Sequence, residues 1–219
     1  MLSWSDIDTV FLDMDGTLLD LHFDSHFWLT HLPRRYAEIK DIPEDTARGH
    51  LKQWIDCERG TLNWYCVDYW SERLEVDVGL LKTEVRDRIA YRASATAFLA
   101  WLAEAPQRVV LVTNAHPKSL SLKIAETGLD RYFERLITTH DKGLGLPKEN
   151  PAFWTALQDT EPFDPQRTLL IDDSLPVLTS ARTYGIRHLI TILSPDSTAP
   201  HRPASDFPGI HDFGEIMPA

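Results

Sequence analysis

Short apolar runs that break off in polar or small residues punctuate the chain at positions 9–12, 108–112, 135–139, 168–171 and 186–193. Runs of that length predict strands buried on both faces. Between the later runs, apolar residues recur at helical spacing over 118–127, 151–158 and 175–184, and Gly128 and Gly185 stand where two of these helices should stop. Strands alternating with helices predict an α/β fold, a parallel sheet with helices on its faces.

The stretch 19–92 has another character. It lacks β-branched runs and reads as several helices: Pro43 with Glu44 opens one running to 56, and Asn63 is placed to cap one running to 74. The chain therefore divides into a sheet-bearing core, 1–18 and 93–219, and a helical insertion, 19–92. A further helix over 95–104, stopped before Pro106, leads back into the sheet. Residues 194–208, with Pro195, Pro200, Pro203 and Pro208, read as an irregular surface wrap.

Composition narrows the function. Lys and Arg number 22 against 33 Asp and Glu, a net charge of −11, so the overall field repels polyanions and no nucleic-acid polymer is expected as a partner. A small anion needs a metal, a lysine or backbone N–H groups to overcome that field. No apolar run approaches the ~20 residues that cross a bilayer, and residues 1–9 lack the basic-then-apolar order of a secretion signal. Cys57 and Cys66 are the only cysteines, too few for a disulfide framework, and read as reduced, buried small residues of a cytoplasmic protein.

In open parallel sheets, ligands gather beyond the carboxyl ends of the strands. After the first strand stand Asp13 and Asp15, two apart and so facing one way, with Gly16 to permit the turn. After the second come Thr113 and Asn114, able to hold phosphate oxygens at a helix start. Lys148 follows the third, just before Asn150 and Pro151, a cap and first helical position. Asp172 and Asp173 follow the fourth, adjacent carboxylates whose desolvation calls for a cation. Taken singly, these also read as an Asp-Gly turn, a helix cap, a solvated lysine and a capped helix start. Four such signals in order at successive strand ends form a chemical constellation.

That chemistry is phosphate-ester cleavage. A carboxylate nucleophile meets electrostatic repulsion from an anionic ester, and a hard divalent cation on oxygen ligands, Mg²⁺, removes it. Asp13 is the candidate nucleophile, splitting one displacement into two through an acyl-phosphate. Asp15 is the candidate acid and base for the leaving group and the later water, its pKa raised by neighbouring negative charge. Lys148 offsets charge on Asp13 and the phosphoryl group, which Thr113 and the amides after it hold. Asp13 and Asp172 are the first candidates to ligate the metal.

Asp13-Met14-Asp15-Gly16-Thr17, Thr113, Lys148 and Asp172-Asp173 resemble, in this order, the four motifs of the haloacid-dehalogenase-like hydrolase superfamily. The resemblance implies a Rossmann-like core with an α-helical C1 cap, a metal held by Asp13, the backbone carbonyl of Asp15 and Asp172, and a contact through water from Asp173. Asp15 sets the pattern apart from members that displace halide. The sequence Glu149-Asn150-Pro151 departs from the commoner Lys-Pro start.

Residues 12–21, 61–66, 68–72 and 113–117 resemble a bacterial subgroup described as GMP/IMP nucleotidases, implying purine nucleoside 5′-monophosphates as substrates. Trp64, Val67 and Leu74 approximate helical spacing and read as core. Tyr65 and Tyr69, at i and i+4, are candidates to stack on a purine or to pack the cap on the core. His22, His26 and His116 lie near the catalytic segments, where oxygen ligands suit the expected metal better. The alternatives are a sugar-phosphate phosphatase or phosphomutase sharing the nucleophile, and a non-catalytic ligand-binding protein on the same fold. The sequence leaves oligomeric state open.

Overall fold

The computed structural model describes residues 2–218. The chain opens with β1 (Thr9–Leu12), then enters a run of helices: α1 (His22–His26), which continues through a wide turn at Phe27–His31 into α2 (Leu32–Lys40), then α3 (Glu44–Glu58), α4 (Val67–Leu74) and α5 (Val78–Thr83). From α6 (Ala95–Glu104), strands and helices alternate: β2 (Arg108–Thr113), α7 (Pro117–Thr127), β3 (Arg135–Thr138), α8 (Pro151–Thr160), β4 (Thr168–Asp172), α9 (Leu175–Tyr184), β5 (His188–Ile192) and a short β6 (Gly209–Ile210).

The six strands form one sheet in the order β3-β2-β1-β4-β5-β6, and every pair is parallel. β1 lies between β2 and β4 because the chain builds outward on one side and then crosses to the other. A crevice opens at such a reversal, at the carboxyl end of the first strand.

Alternation along each strand sends side chains to two separate cores. Val10, Leu12, Leu111 and Ile171 pack with Phe98, Leu99 and Leu102 of α6 on one face. Phe11, Val110, Val112 and Leu170 pack with Phe153, Trp154 and Leu157 of α8 and Val177, Leu178 and Ala181 of α9 on the other. The helical segment has a third core of its own, centred on Phe23, Phe27, Leu51, Trp70, Leu74 and Leu81.

Two local expectations are corrected. α4 begins at Val67 and is capped by Cys66, whose sulfur accepts the Tyr69 amide at 3.4 Å. Asn63 lies in a preceding turn and donates instead to Glu58. Residues 194–208 are irregular, as expected, and the short β6 that follows them pairs with β5. Cys57 is exposed and Cys66 half-buried, so neither is a core residue. Among the described residues no helix is long and apolar enough to cross a membrane.

Candidate active site

Asp13 directly follows β1, and its amide continues the ladder by donating to Ile171 of β4 at 3.1 Å. Asp172 is the last residue of β4. The register of β1 against β4 thus sets two carboxylates side by side at the reversal point, and the loop after β3 sends Lys148 between them. Its Nζ lies 2.6 Å from Asp13 Oδ1 and 2.7 Å from Asp172 Oδ2, and donates to the Val112 carbonyl at 2.9 Å. All three ammonium protons are used, which suits a lysine only 1% exposed.

Asp173, the next residue, meets Arg202 Nη2 at 3.0 Å. Gly16, at φ +79°, makes this possible: a Cβ there would stand 2.8 Å from Asp173 Cγ and 3.1 Å from Pro195 Cβ. Only glycine admits both the left-handed backbone and the carboxylate behind it.

Asp13, Asp172 and Asp173 each present an oxygen, all within 4.8 Å of one another. Burial pushes Asp13 up to about 7 against the pull of Lys148, with Asp172 and Asp15 raising it further. Burial likewise lifts Asp172 to about 6, with Asp173 adding to the rise, and Asp173 to about 7, with Asp13 adding. Three buried carboxylates against one lysine and one arginine leave an excess of negative charge on hard oxygen donors. That donor set fits a divalent cation such as Mg²⁺.

Asp15 lies beside this group on the same cavity wall. Burial raises its pKa, opposed by Lys123. Lys123 Nζ sits 2.5 Å from Asp15 Oδ1 and 2.6 Å from Asp24 Oδ2, and Lys82 Nζ lies 2.8 Å from Asp24 Oδ1. For Asp24, burial is outweighed by the two lysines and its pKa falls. Two carboxylates and two ammonium groups thus alternate in a buried chain leading from Asp15 into the helical segment. Sequence reading missed Asp24, Lys82 and Lys123. The available signal was Lys123 on the stripe of α7 that carries Leu120 and Ile124, a lysine where an apolar residue belongs.

Thr113 Oγ accepts the Ala115 amide at 3.1 Å, leaving the hydroxyl proton to donate to an anion. The Asn114 side chain turns to the loop that carries Lys148. Its oxygen accepts the Lys148 amide at 2.9 Å and its nitrogen donates to Glu149 Oε2 at 3.0 Å, so it holds the lysine loop in place. The other Glu149 oxygen accepts the Tyr65 hydroxyl at 2.5 Å. The residue that departs from the family pattern therefore ties the helical segment to the core.

Above the carboxylates opens a cavity of about 980 Å³, floored by Asp13, Thr113, Lys148 and Asp172 and walled from the helical segment by Trp28, Trp64, Tyr65 and Trp70, with Arg48, Lys52 and Arg59. Tyr65 lines it and Tyr69 does not. The two tyrosines are separated by the start of α4 rather than sharing one helix face, and the Tyr69 hydroxyl donates to Glu58 at 2.5 Å outside the cavity. Trp64, expected in the core, is half-buried at the cavity wall with the Arg59 guanidinium 4.8 Å from its ring centre. Arg202 was missed because nothing in a proline-rich tail marks one arginine as reaching a strand end.

Comparison with known proteins agrees with this geometry. Residues 7–185 match the family described as haloacid dehalogenase-like hydrolase. The chain is 37% identical over 218 residues to the GMP/IMP nucleotidase YrfG of Escherichia coli (strain K12), covering 100% of this chain and 97% of that one. It is 24% identical over 178 residues to the pyrimidine 5′-nucleotidase YjjG of the same organism, covering 76% and 77%. Among solved structures, a HAD phosphatase from Thermococcus onnurineus superposes with a TM-score of 0.76 at 21% identity, covering 96% of each chain.

Proposed function

The chain belongs to the haloacid dehalogenase-like hydrolase family and is a phosphoric monoester hydrolase of it, and from that premise we propose that it dephosphorylates purine nucleoside 5′-monophosphates through an aspartyl-phosphate on Asp13. The observation that carries the reading is the placement of Asp13. Its carboxylate lies against Lys148 on the floor of a cavity whose far wall is aromatic and cationic.

A phosphoryl group entering this floor meets the Lys148 ammonium and the Thr113 hydroxyl, which draw its oxygens toward the strand ends. Asp13 attacks phosphorus, the ester P–O bond breaks, and the departing alkoxide takes the proton of Asp15. Water then attacks the acyl-phosphate, giving its proton to Asp15. The P–O bond to Asp13 breaks, and inorganic phosphate leaves with both aspartates restored. Burial favours the protonated form of Asp15 that the first step uses, and Lys123 favours the ionised form that the second step uses. Mg²⁺ held by Asp13, Asp172 and Asp173, with the backbone carbonyl of Asp15, would offset the charge of the incoming anion and of the phosphoryl oxygens.

The 19–92 segment acts as the cap in this reading. The floor addresses only the phosphoryl group, so discrimination rests on the wall, where Trp64 and Tyr65 offer faces for a base and Arg48, Lys52 and Arg59 offer donors. The resemblance to a GMP/IMP nucleotidase over the whole chain supports purines as those bases.

The test is phosphate release from GMP, IMP, AMP, pyrimidine nucleotides and sugar phosphates, with and without Mg²⁺. Preference for GMP and IMP that depends on Mg²⁺ is expected. Preferential turnover of sugar phosphates would overturn the purine assignment, and undiminished turnover after chelation would overturn the metal.

A further inference from the structure

A second group of metal-ligating side chains lies away from the carboxylates, where the helical segment meets the core. Cys66 caps α4, His116 caps α7 and His140 follows β3, and each offers a ligand atom within 4.8 Å of the other two. The imidazole rings of His116 and His140 pack edge to face with centres 4.9 Å apart.

One ring nitrogen of this group lacks a partner. His140 Nε2 is buried and makes no hydrogen bond. An orphaned lone pair in a polar cluster loses its hydration without return. Burial holds the His140 pKa down to about 4, opposed by the Asn114 backbone, and also holds His116 below its ordinary value. Both rings are therefore neutral near pH 7, the form that binds metals.

We propose that Cys66, His116 and His140 form a zinc site that bridges the helical segment and the core. One sulfur and two imidazole nitrogens are borderline-soft donors and select Zn²⁺ over Mg²⁺, whereas the Asp13 group offers only oxygen. Ligands about 2.0–2.3 Å from zinc at tetrahedral angles stand about 3.3–3.8 Å apart, so a trio whose atoms lie within 4.8 Å of one another closes by at most about 1.5 Å on binding. Water or Asp68, whose Oδ2 lies 3.6 Å from His116 Nε2, supplies the fourth ligand.

Loading the site forms a Zn–S bond as the Cys66 S–H bond breaks, the proton leaving to solvent. Sγ keeps the Tyr69 amide as an outer partner. Whichever nitrogen His116 contributes, it gives up the 3.3 Å bond from the Lys118 amide to Nδ1, a long bond of low value. Two ligands come from the core and one from the helical segment, so a bound ion fastens the two together.

The experiment adds Co²⁺, a spectroscopic stand-in for Zn²⁺, to the reduced full-length protein in excess Mg²⁺. The expected result is one equivalent bound, with tetrahedral ligand-field bands and a near-ultraviolet thiolate-to-cobalt band that an all-oxygen site cannot produce. Cys57→Ser should keep these bands. Cys66→Ser should abolish the thiolate band, and His140→Ala should weaken binding by more than the about 10–100-fold that loss of an outer partner costs. Both variants should retain wild-type circular dichroism, and Zn²⁺ should raise the Tm of the wild type but not of Cys66→Ser. Absence of a thiolate band, its survival in Cys66→Ser or its loss in Cys57→Ser would each overturn the site.

Discussion

Replacing Lys123 with methionine tests the buried charge chain behind Asp15. Methionine keeps an unbranched stem of similar length and removes only the charge and its donors. The lysine is 1% exposed and touches Asp15 at 2.5 Å and Asp24 at 2.6 Å. Asp24 retains Lys82 at 2.8 Å, so the loss falls on Asp15. Removing one partner of a buried pair costs about 3–5 kcal/mol. The Asp15 side chain is 24% exposed, which places the loss near the lower end, about 3 kcal/mol or roughly a hundredfold in the folding equilibrium.

The same change alters the chemistry. Burial raises the Asp15 pKa and Lys123 opposes the rise, so without Lys123 the pKa climbs further. In the proposed mechanism hydrolysis of the acyl-phosphate needs Asp15 ionised, so the acidic limb of that step moves to higher pH in Lys123→Met. Urea unfolding and rapid-quench measurement of the two steps across pH read both effects. Adding Asp15→Asn should restore part of the stability, because a neutral amide does not need the lysine. Destabilisation below about 1 kcal/mol, or an unmoved acidic limb, refutes the reasoning.

Asp13→Asn should abolish turnover with the fold intact, since Lys148 keeps Asp172 and Val112; steady-state phosphate release and circular dichroism check it. Gly16→Ala should lose most Mg²⁺-dependent activity and about 1–3 kcal/mol of stability, because its Cβ strikes the Asp173 carboxylate in a left-handed backbone; unchanged apparent Mg²⁺ affinity would contradict this. Metal-free protein should lose stability as pH rises. Asp13, Asp172 and Asp173 sit at about 7, 6 and 7 in the fold against 3.8 unfolded, so their contribution is full below about pH 4 and lost as pH passes through 6 to 7. Thermal melts between roughly pH 5 and 8 should slope downward in a chelator, and saturating Mg²⁺ should flatten the slope.

Strand ends were legible because their chemistry is local. A run such as Val10-Phe11-Leu12 must be buried on both faces, and the polar residues that follow it must lie at its carboxyl end. Asp13, Thr113, Lys148 and Asp172 were found in that way, and the structure brings all four to one cavity floor. The caps at Asn150 and Gly185 are equally local and stand where expected. The chain alone thus determined the parallel sheet and the order in which the strand-end residues of the candidate site follow one another.

Tertiary structure decided what depends on distant residues meeting. Lys123 and Asp24 are 99 positions apart, and a lysine on an apolar stripe becomes interpretable only when its carboxylates are placed. Arg202 reaches Asp173 because the tail folds back over β5, and no periodicity records that path. Tyr65 and Tyr69 were paired by helical spacing, but α4 starts between them, so one faces the cavity and the other Glu58. Spacing fixes which side chains share a face only once the helix boundary is known, and here that boundary rests on the sulfur of Cys66 and the packing of Val67 and Trp70 beneath it.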